Sequence, residues 1–320
     1  MKAKDDLEER NVPRNPLMKF LDRRKPETLD PRSPLGQALS RLAQLAEQHP
    51  ELASLADLQA ALLKVTFSSA PPIPTVTLDP EHAASKFQAG VPLLRGEPIT
   101  LDANWLRKQY GALCDAVIAQ QAADGARSNL SQTAAQMLKN AVTQGTLDVQ
   151  SLTLDVLAGD PNNVSQRAAQ LDLDAGLAAT LLRWTLLPIL EQLAHVLHPL
   201  RNNVAWQRGY CLTCGAWPIF AEQRGIEQNR FLRCGLCASE WQSVRVECPF
   251  CGSRTPGDIA YLHEETGLGT QRAVTCERCH CYYKVVTALV PTPTPQLAVV
   301  DLATLHLDLI ALDRAYAPPA

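Results

Sequence analysis

Four Cys-x-x-Cys pairs follow one another within a short stretch: Cys211/Cys214, Cys234/Cys237, Cys248/Cys251 and Cys276/Cys279. Two thiolates three positions apart turn both sulfurs toward one ion, and the tight turn between them aims backbone amides at the sulfurs. Glycine after the second cysteine eases that turn, as in Cys214-Gly215 and Cys251-Gly252. Two such knuckles supply the four tetrahedral sulfurs that zinc or a single iron prefers. The eight cysteines are therefore read as metal ligands of two sites.

Redox-active dithiols are the competing reading of a Cys-x-x-Cys pair, but they normally come singly at a helix start. The gap is 19 residues between the first two pairs and 24 between the last two. Either gap holds a β-hairpin that brings its knuckles face to face. Pairing the first knuckle with the second, and the third with the fourth, gives two similar compact ribbons and is preferred. The rival closes the second and third pairs across the ten residues from Ala238 to Glu247. Loop-closure entropy separates the two by less than ~1 kcal/mol and does not choose.

Two further cysteines stand outside the pairs. Cys114 lies on a helical pattern with Val117 and reads as a small core residue. Cys281, just past Cys279, is read as a bystander, with spare ligand or reactive thiol as alternatives. His280 is unnecessary where four pairs are complete. His195 and His198, at the end of an apolar helical stretch, are assigned structural roles.

The rest of the chain has a different texture. Residues 1–32 mix charges with Pro13, Pro16, Pro26 and Pro31 and read as a loosely ordered arm. From Pro34 the period is helical, with Leu35, Ala38, Leu39, Leu42 and Leu45 on one face and Leu52, Leu55, Leu58 and Leu62 on the next. Helices are expected over Trp105–Ala122, Leu130–Val142, Leu147–Leu157 and Leu177–Leu197, with Thr100 or Asp102 as a cap and Gly145 as a stop. Residues 33–204 are expected to form one all-helical domain. Ten of the 17 aromatics then fall between Trp206 and Tyr283, in a β-rich region assigned to two modules, 205–243 and 244–290. A proline-rich linker and a last helical stripe, Leu302, Leu305, Leu309, Leu312 and Tyr316, occupy 291–320. The fold class is α+β.

Charge and missing motifs narrow the function. Net charge is −3, so no global basic field recruits nucleic acid or anionic lipid. Between Arg201 and Val290, ten Lys/Arg face eight Asp/Glu, a balance that two occupied four-thiolate sites turn negative. Phosphate binding needs clustered positive charge, which weighs against nucleic acid as a partner. No apolar run reaches the ~18 residues of a membrane span. Arg23-Arg24-Lys25 is followed by Pro26-Glu27 instead of an apolar segment, so a cytoplasmic location and no membrane insertion are expected. Phosphate-loop, nucleophile-elbow and His-Glu-x-x-His motifs are missing, and four-thiolate sites are closed. The chain is expected not to be an enzyme.

Cys211-Leu212-Thr213-Cys214-Gly215, Leu232-Arg233-Cys234-Gly235-Leu236-Cys237-Ala238-Ser239-Glu240-Trp241 and Cys248-Pro249-Phe250-Cys251 together resemble the FdhE family of formate dehydrogenase accessory proteins. Cys276-Glu277-Arg278-Cys279-His280-Cys281-Tyr282-Tyr283-Lys284 is similar to its last knuckle, Gly90-Val91-Pro92-Leu93-Leu94 to a passage in its helical half, and Asp301-Leu302-Ala303-Thr304-Leu305 to its closing helix. The likeness spans roughly 85–315. It implies a cytoplasmic, non-enzymatic maturation factor with a helical domain and two rubredoxin-like modules. It also implies association with the catalytic subunit of respiratory formate dehydrogenase before export, and iron in both sites, with zinc as the alternative metal. Cys281 departs from the pattern, where a small residue is usual. Two other classes remain in view, a zinc-ribbon nucleic-acid-binding protein and a rubredoxin-type electron carrier.

Overall fold

The computed structural model describes residues 30–68, 70–120, 125–201, 204–263 and 271–319. All but its last three residues of the expected N-terminal arm lie outside these. The first expected stripe forms α1 (Pro34–Gln48), where the Ser33 hydroxyl accepts the Gly36 amide at 2.9 Å. The second forms α2 (Ala53–Phe67). Then come α3 (Pro80–Ala89), α4 (Ala103–Ala119), α5 (Gly125–Gln144), α6 (Val149–Ala158), α7 (Asn162–Gln170), α8 (Ala175–Val196) and the single turn α9 (His198–Arg201). Of the two proposed caps, Asp102 does the work at α4, its carboxylate accepting the Asn104 and Trp105 amides. Two helices were not expected. α3 follows a proline-broken passage, and α7 is nine residues of mostly polar sequence with two buried positions, Val164 and Ala168.

α8 is the axis of the helical half, burying Leu181, Leu182, Leu186, Ile189, Leu190 and Leu193 against α4, α6 and α7. Tyr110 and Cys114 of α4 are fully buried in the same core, as the helical pattern around Cys114 requires. Burial raises the Cys114 thiol to about 12, consistent with an inert packing residue.

Six strands follow: β1 (Pro218–Arg224), β2 (Asn229–Cys234), β3 (Glu240–Ser243), β4 (Ile259–Leu262), β5 (Gln271–Cys276) and β6 (Tyr282–Ala288). They form one continuous sheet in the order β3-β2-β1-β6-β5-β4. β1 and β6 run parallel at the seam, with Phe220 opposite Lys284, and the pairs within each half are antiparallel. The two halves repeat one plan of knuckle, two strands, knuckle, third strand, set side by side without reversal. Since β1 and β6 both begin just after a knuckle and share direction, all four knuckles gather at one end of the sheet.

The C-terminal helical stripe is broken in two, α10 (Thr294–Ala303) and α11 (Leu305–Asp313), bent by 48°. The Thr304 hydroxyl donates to the Val300 carbonyl at 2.8 Å, a side-chain bond of the kind that competes with the helical ladder. α10 starts inside the proline-rich stretch, with Pro295 in its first turn, where a missing N–H costs nothing. Lys284 of β6 holds both helices, its Nζ donating to Asp301 Oδ1 at 2.6 Å and Asp308 Oδ2 at 2.7 Å. Among the described residues no single helix is long and apolar enough to cross a membrane. The bent pair α10–α11 passes such a test on length and composition, with Leu297, Val299, Leu302, Leu307 and Ala311 buried in the fold.

Candidate metal centres

Each knuckle is the same backbone device. The first cysteine donates its amide to the carbonyl five residues on: Cys211 to Ala216 (2.9 Å), Cys234 to Ser239 (2.8 Å), Cys248 to Ser253 (2.9 Å) and Cys276 to Cys281 (3.0 Å). The residue after the second cysteine has a left-handed backbone in all four: Gly215 (φ 86°), Ala238 (57°), Gly252 (71°) and His280 (53°). His280 is thus a turn residue and lies outside both sulfur groups, and Cys281, just before β6, closes the last knuckle by accepting the Cys276 amide. At Gly215 the turn also needs space, because a Cβ would meet the Arg95 guanidinium at 2.7 Å.

The β-hairpins bring the knuckles together in sequential pairs. Cys211, Cys214, Cys234 and Cys237 form one group and Cys248, Cys251, Cys276 and Cys279 the other, with the sulfurs of each group within 4.8 Å of one another. Across the paired knuckles the Sγ–Sγ separations are 3.5 Å (Cys211–Cys237) and 3.4 Å (Cys214–Cys234) in the first group, and 3.7 Å (Cys248–Cys279) and 3.6 Å (Cys251–Cys276) in the second. A tetrahedron of sulfurs at a metal–sulfur length of ~2.3 Å has edges of ~3.8 Å, so both groups are close to the size of a four-thiolate cage. No disulfide closes any pair.

The charge chemistry of the first group also fits a cation. Burial works against a Cys211 thiolate, yet hydrogen bonds from Cys214, Cys234 and Cys237 hold its thiol well below the usual value. The bond to Cys211 and then the other thiols push Cys214 up, and burial, then the bond to Cys211, push Cys234 up. A divalent ion would stabilise thiolates that burial disfavours in this cage. Such an ion would be held by the eight cysteines in two four-sulfur sets. It would tie the ribbons together and, if iron, exchange one electron.

Several residues outside the knuckles position the first group. The Leu93 and Leu94 amides donate to the Leu212 and Thr213 carbonyls at 2.9 Å, laying the Gly90–Leu94 passage along the first knuckle. Arg183 of α8 donates from Nε to the Gly235 carbonyl at 2.6 Å. Arg201 of α9 donates to Thr213 Oγ1 (2.9 Å) and Ser239 Oγ (2.8 Å), bridging the first and second knuckles. His198 lies near Arg201, its imidazole pKa held below the usual value by burial and by that charge, and His195 is outside both sulfur groups.

The centres are also joined to each other. Phe87, Trp206, Tyr210, Trp217, Phe250 and Tyr283 form an edge-to-face chain with centroids 5.5–6.0 Å apart, running from α3 to the third knuckle and β6. Gly209 beside the first knuckle lies against Pro249 of the third, whose carbonyl would be 1.6 Å from an added Cβ. Behind the first ribbon, fully buried Glu222 pairs with Arg224 and Arg233, and accepts the Thr292 amide at 3.2 Å.

No family model matches the chain. It is 29% identical to the protein FdhE homolog of Stutzerimonas stutzeri over 297 residues, 90% of this chain and 88% of that one. It is 28% identical to protein FdhE of Escherichia coli (strain K12) over 284 residues, covering 87% and 83%. The crystal structure of the FdhE protein from Pseudomonas aeruginosa superposes with a TM-score of 0.56 at 25% identity, covering 89% of this chain and 92% of that chain. The likeness runs over nearly the whole length, with helices, paired knuckles and closing helices in the same chain, and makes this protein similar to FdhE proteins from end to end of the aligned region.

Proposed function

We propose that the protein is a non-enzymatic maturation factor for a respiratory formate dehydrogenase, binding the catalytic subunit in the cytoplasm before export. The observation that carries this reading is the pair of four-sulfur cages at one end of a single sheet, in a chain similar to FdhE proteins over nearly its whole length. Closed four-thiolate sites leave no open coordination position for a substrate, which suits holding a client better than turning one over. In this reading the eight cysteines are the ligands, iron is the resident metal and zinc its closed-shell substitute, since both accept four tetrahedral thiolates. The boundaries 33–204, 205–243, 244–290 and 291–320 are the units in which the chain uses them, the helical part buttressing the first cage and the C-terminal helices the second ribbon.

A deletion strain tests the proposal directly. Loss of respiratory formate dehydrogenase activity, restored by the full chain but not by Cys234→Ser or Cys276→Ser, is the expected result. Undiminished activity in the deletion strain would defeat it.

A further inference from the structure

The two centres repeat one plan but differ in how they are closed. In the first, all four cysteines are at most 3% exposed, and the helical domain grips both knuckles through Leu93, Leu94, Arg183 and Arg201. In the second, Cys248 and Cys276 are buried, but Cys251 faces solvent and Cys279 is half-buried. Ser239 and its counterpart Cys281 differ in the same sense. The Ser239 hydroxyl lies 3.1 Å from the Cys237 sulfur, donates to Thr213 and receives Arg201, so it is locked in place. The half-buried Cys281 thiol has one weak contact, 3.6 Å to the Cys279 carbonyl.

The tail after α11 lies against the fourth knuckle of the second centre. The chain leaves α11 through Ala315, whose φ of 62° is strained for a residue with a Cβ. Ala317 then donates its amide to the His280 carbonyl at 2.9 Å and accepts the Tyr282 amide at 3.2 Å, forming a parallel bridge with Cys281. The Tyr316 hydroxyl donates to Glu277, and its ring lies 6.1 Å from the His280 imidazole. This short strap grips the fourth knuckle on both sides and has little buried surface of its own, so it opens far more readily than the packed helical domain.

We propose that the second centre is the exchangeable one, taking up and releasing a soft divalent ion, with Cys281 as the spare thiol beside it and the Tyr316–Ala317 strap as its cover. The first centre is then a permanent structural site. The inference rests on metal binding by both cages and adds a division of labour between them.

The test uses the full chain loaded anaerobically with zinc and then mixed with excess 4-(2-pyridylazo)resorcinol. Two ions per chain are expected to leave in a fast and a slow phase separated by more than about tenfold. Cys276→Ser should lose the fast phase, and truncation after Ala315 should speed the fast phase alone. Wild-type zinc-loaded protein treated with N-ethylmaleimide, which needs no variant, should be labelled at Cys281, Cys251 and Cys279 before any cysteine from 211 to 237. A single release rate for two ions, or first labelling in the 211–237 group, would overturn the division of labour while leaving metal binding intact. An unchanged fast phase after truncation would remove the strap from it. A chain that takes up no zinc would defeat the metal reading and this inference together.

Discussion

Ser239 and Cys281 occupy the same position in two successive repeats, each accepting the amide of the cysteine five residues before it, at 2.8 Å from Cys234 and 3.0 Å from Cys276. The two ribbons thus share a backbone and differ in chemistry, and the cages should respond separately to mutation. Cys234→Ser is expected to remove one ion per chain, counted by elemental analysis, and to loosen the first ribbon. Helical circular dichroism should stay largely intact, because α4 and α8 pack mainly on other helices, although their core continues into the first ribbon at Leu212, Leu232 and Trp241. Global unfolding of that variant would contradict separable centres.

The approach of Gly209 to Pro249 predicts coupling of another kind. Gly209→Ala places a Cβ inside the Pro249 carbonyl, which must move. A destabilisation of roughly 1–3 kcal/mol, the usual cost of overpacking, should appear as a lower urea midpoint. Near-wild-type stability would mean that the knuckles slide apart freely.

Lys284 is 2% exposed and holds Asp301 and Asp308 on opposite sides of the bend at Thr304. Lys284→Met keeps the side-chain bulk but leaves two carboxylates without their cation. We expect a loss of about 2–4 kcal/mol, with limited proteolysis cutting first between α10 and α11. Protection equal to wild type would show that apolar packing alone secures these helices.

Acid should weaken the fold in two steps. Burial, with Arg201 second, holds His198 below its ordinary value of 6.5. The unfolded chain therefore gains a proton first, and stability declines as pH falls through that value. Burial opposes the Glu240 carboxylate, yet the bond from Arg224 and the charges of Arg224 and Arg233 hold its pKa below 4.5. Its contribution is complete above 4.5 and is lost as pH falls through the lower folded value. In metal-free protein, His198→Gln should flatten the first step and Glu240→Gln the second, read as thermal midpoints against pH. Curves that superpose on wild type would contradict both assignments.

The grouping of the sulfurs was legible in the sequence because a knuckle is local: four residues carry the two thiols and the turn together. The turn role of His280 was legible too, by setting it beside Gly215, Ala238 and Gly252, but only once the four knuckles are aligned as repeats. The single sheet was not. Its seam pairs Phe220 with Lys284, and parallel pairing over that separation leaves no periodicity or turn signal to read. Arg183 and Arg201 were equally hidden, since a long basic side chain on a helix reads as solvated surface until its partner is placed. The break at Thr304 lies inside an uninterrupted apolar stripe, so spacing alone gave one helix where the side-chain bond makes two.

The most direct measurement is anaerobic affinity capture of the tagged chain from its native cells, with partners identified by mass spectrometry and nucleic acid quantified in the same eluate. The account predicts enrichment of a formate dehydrogenase catalytic subunit, lost in Cys234→Ser and Cys276→Ser. An eluate that holds nucleic acid or ribosomal proteins and no formate dehydrogenase subunit would contradict it.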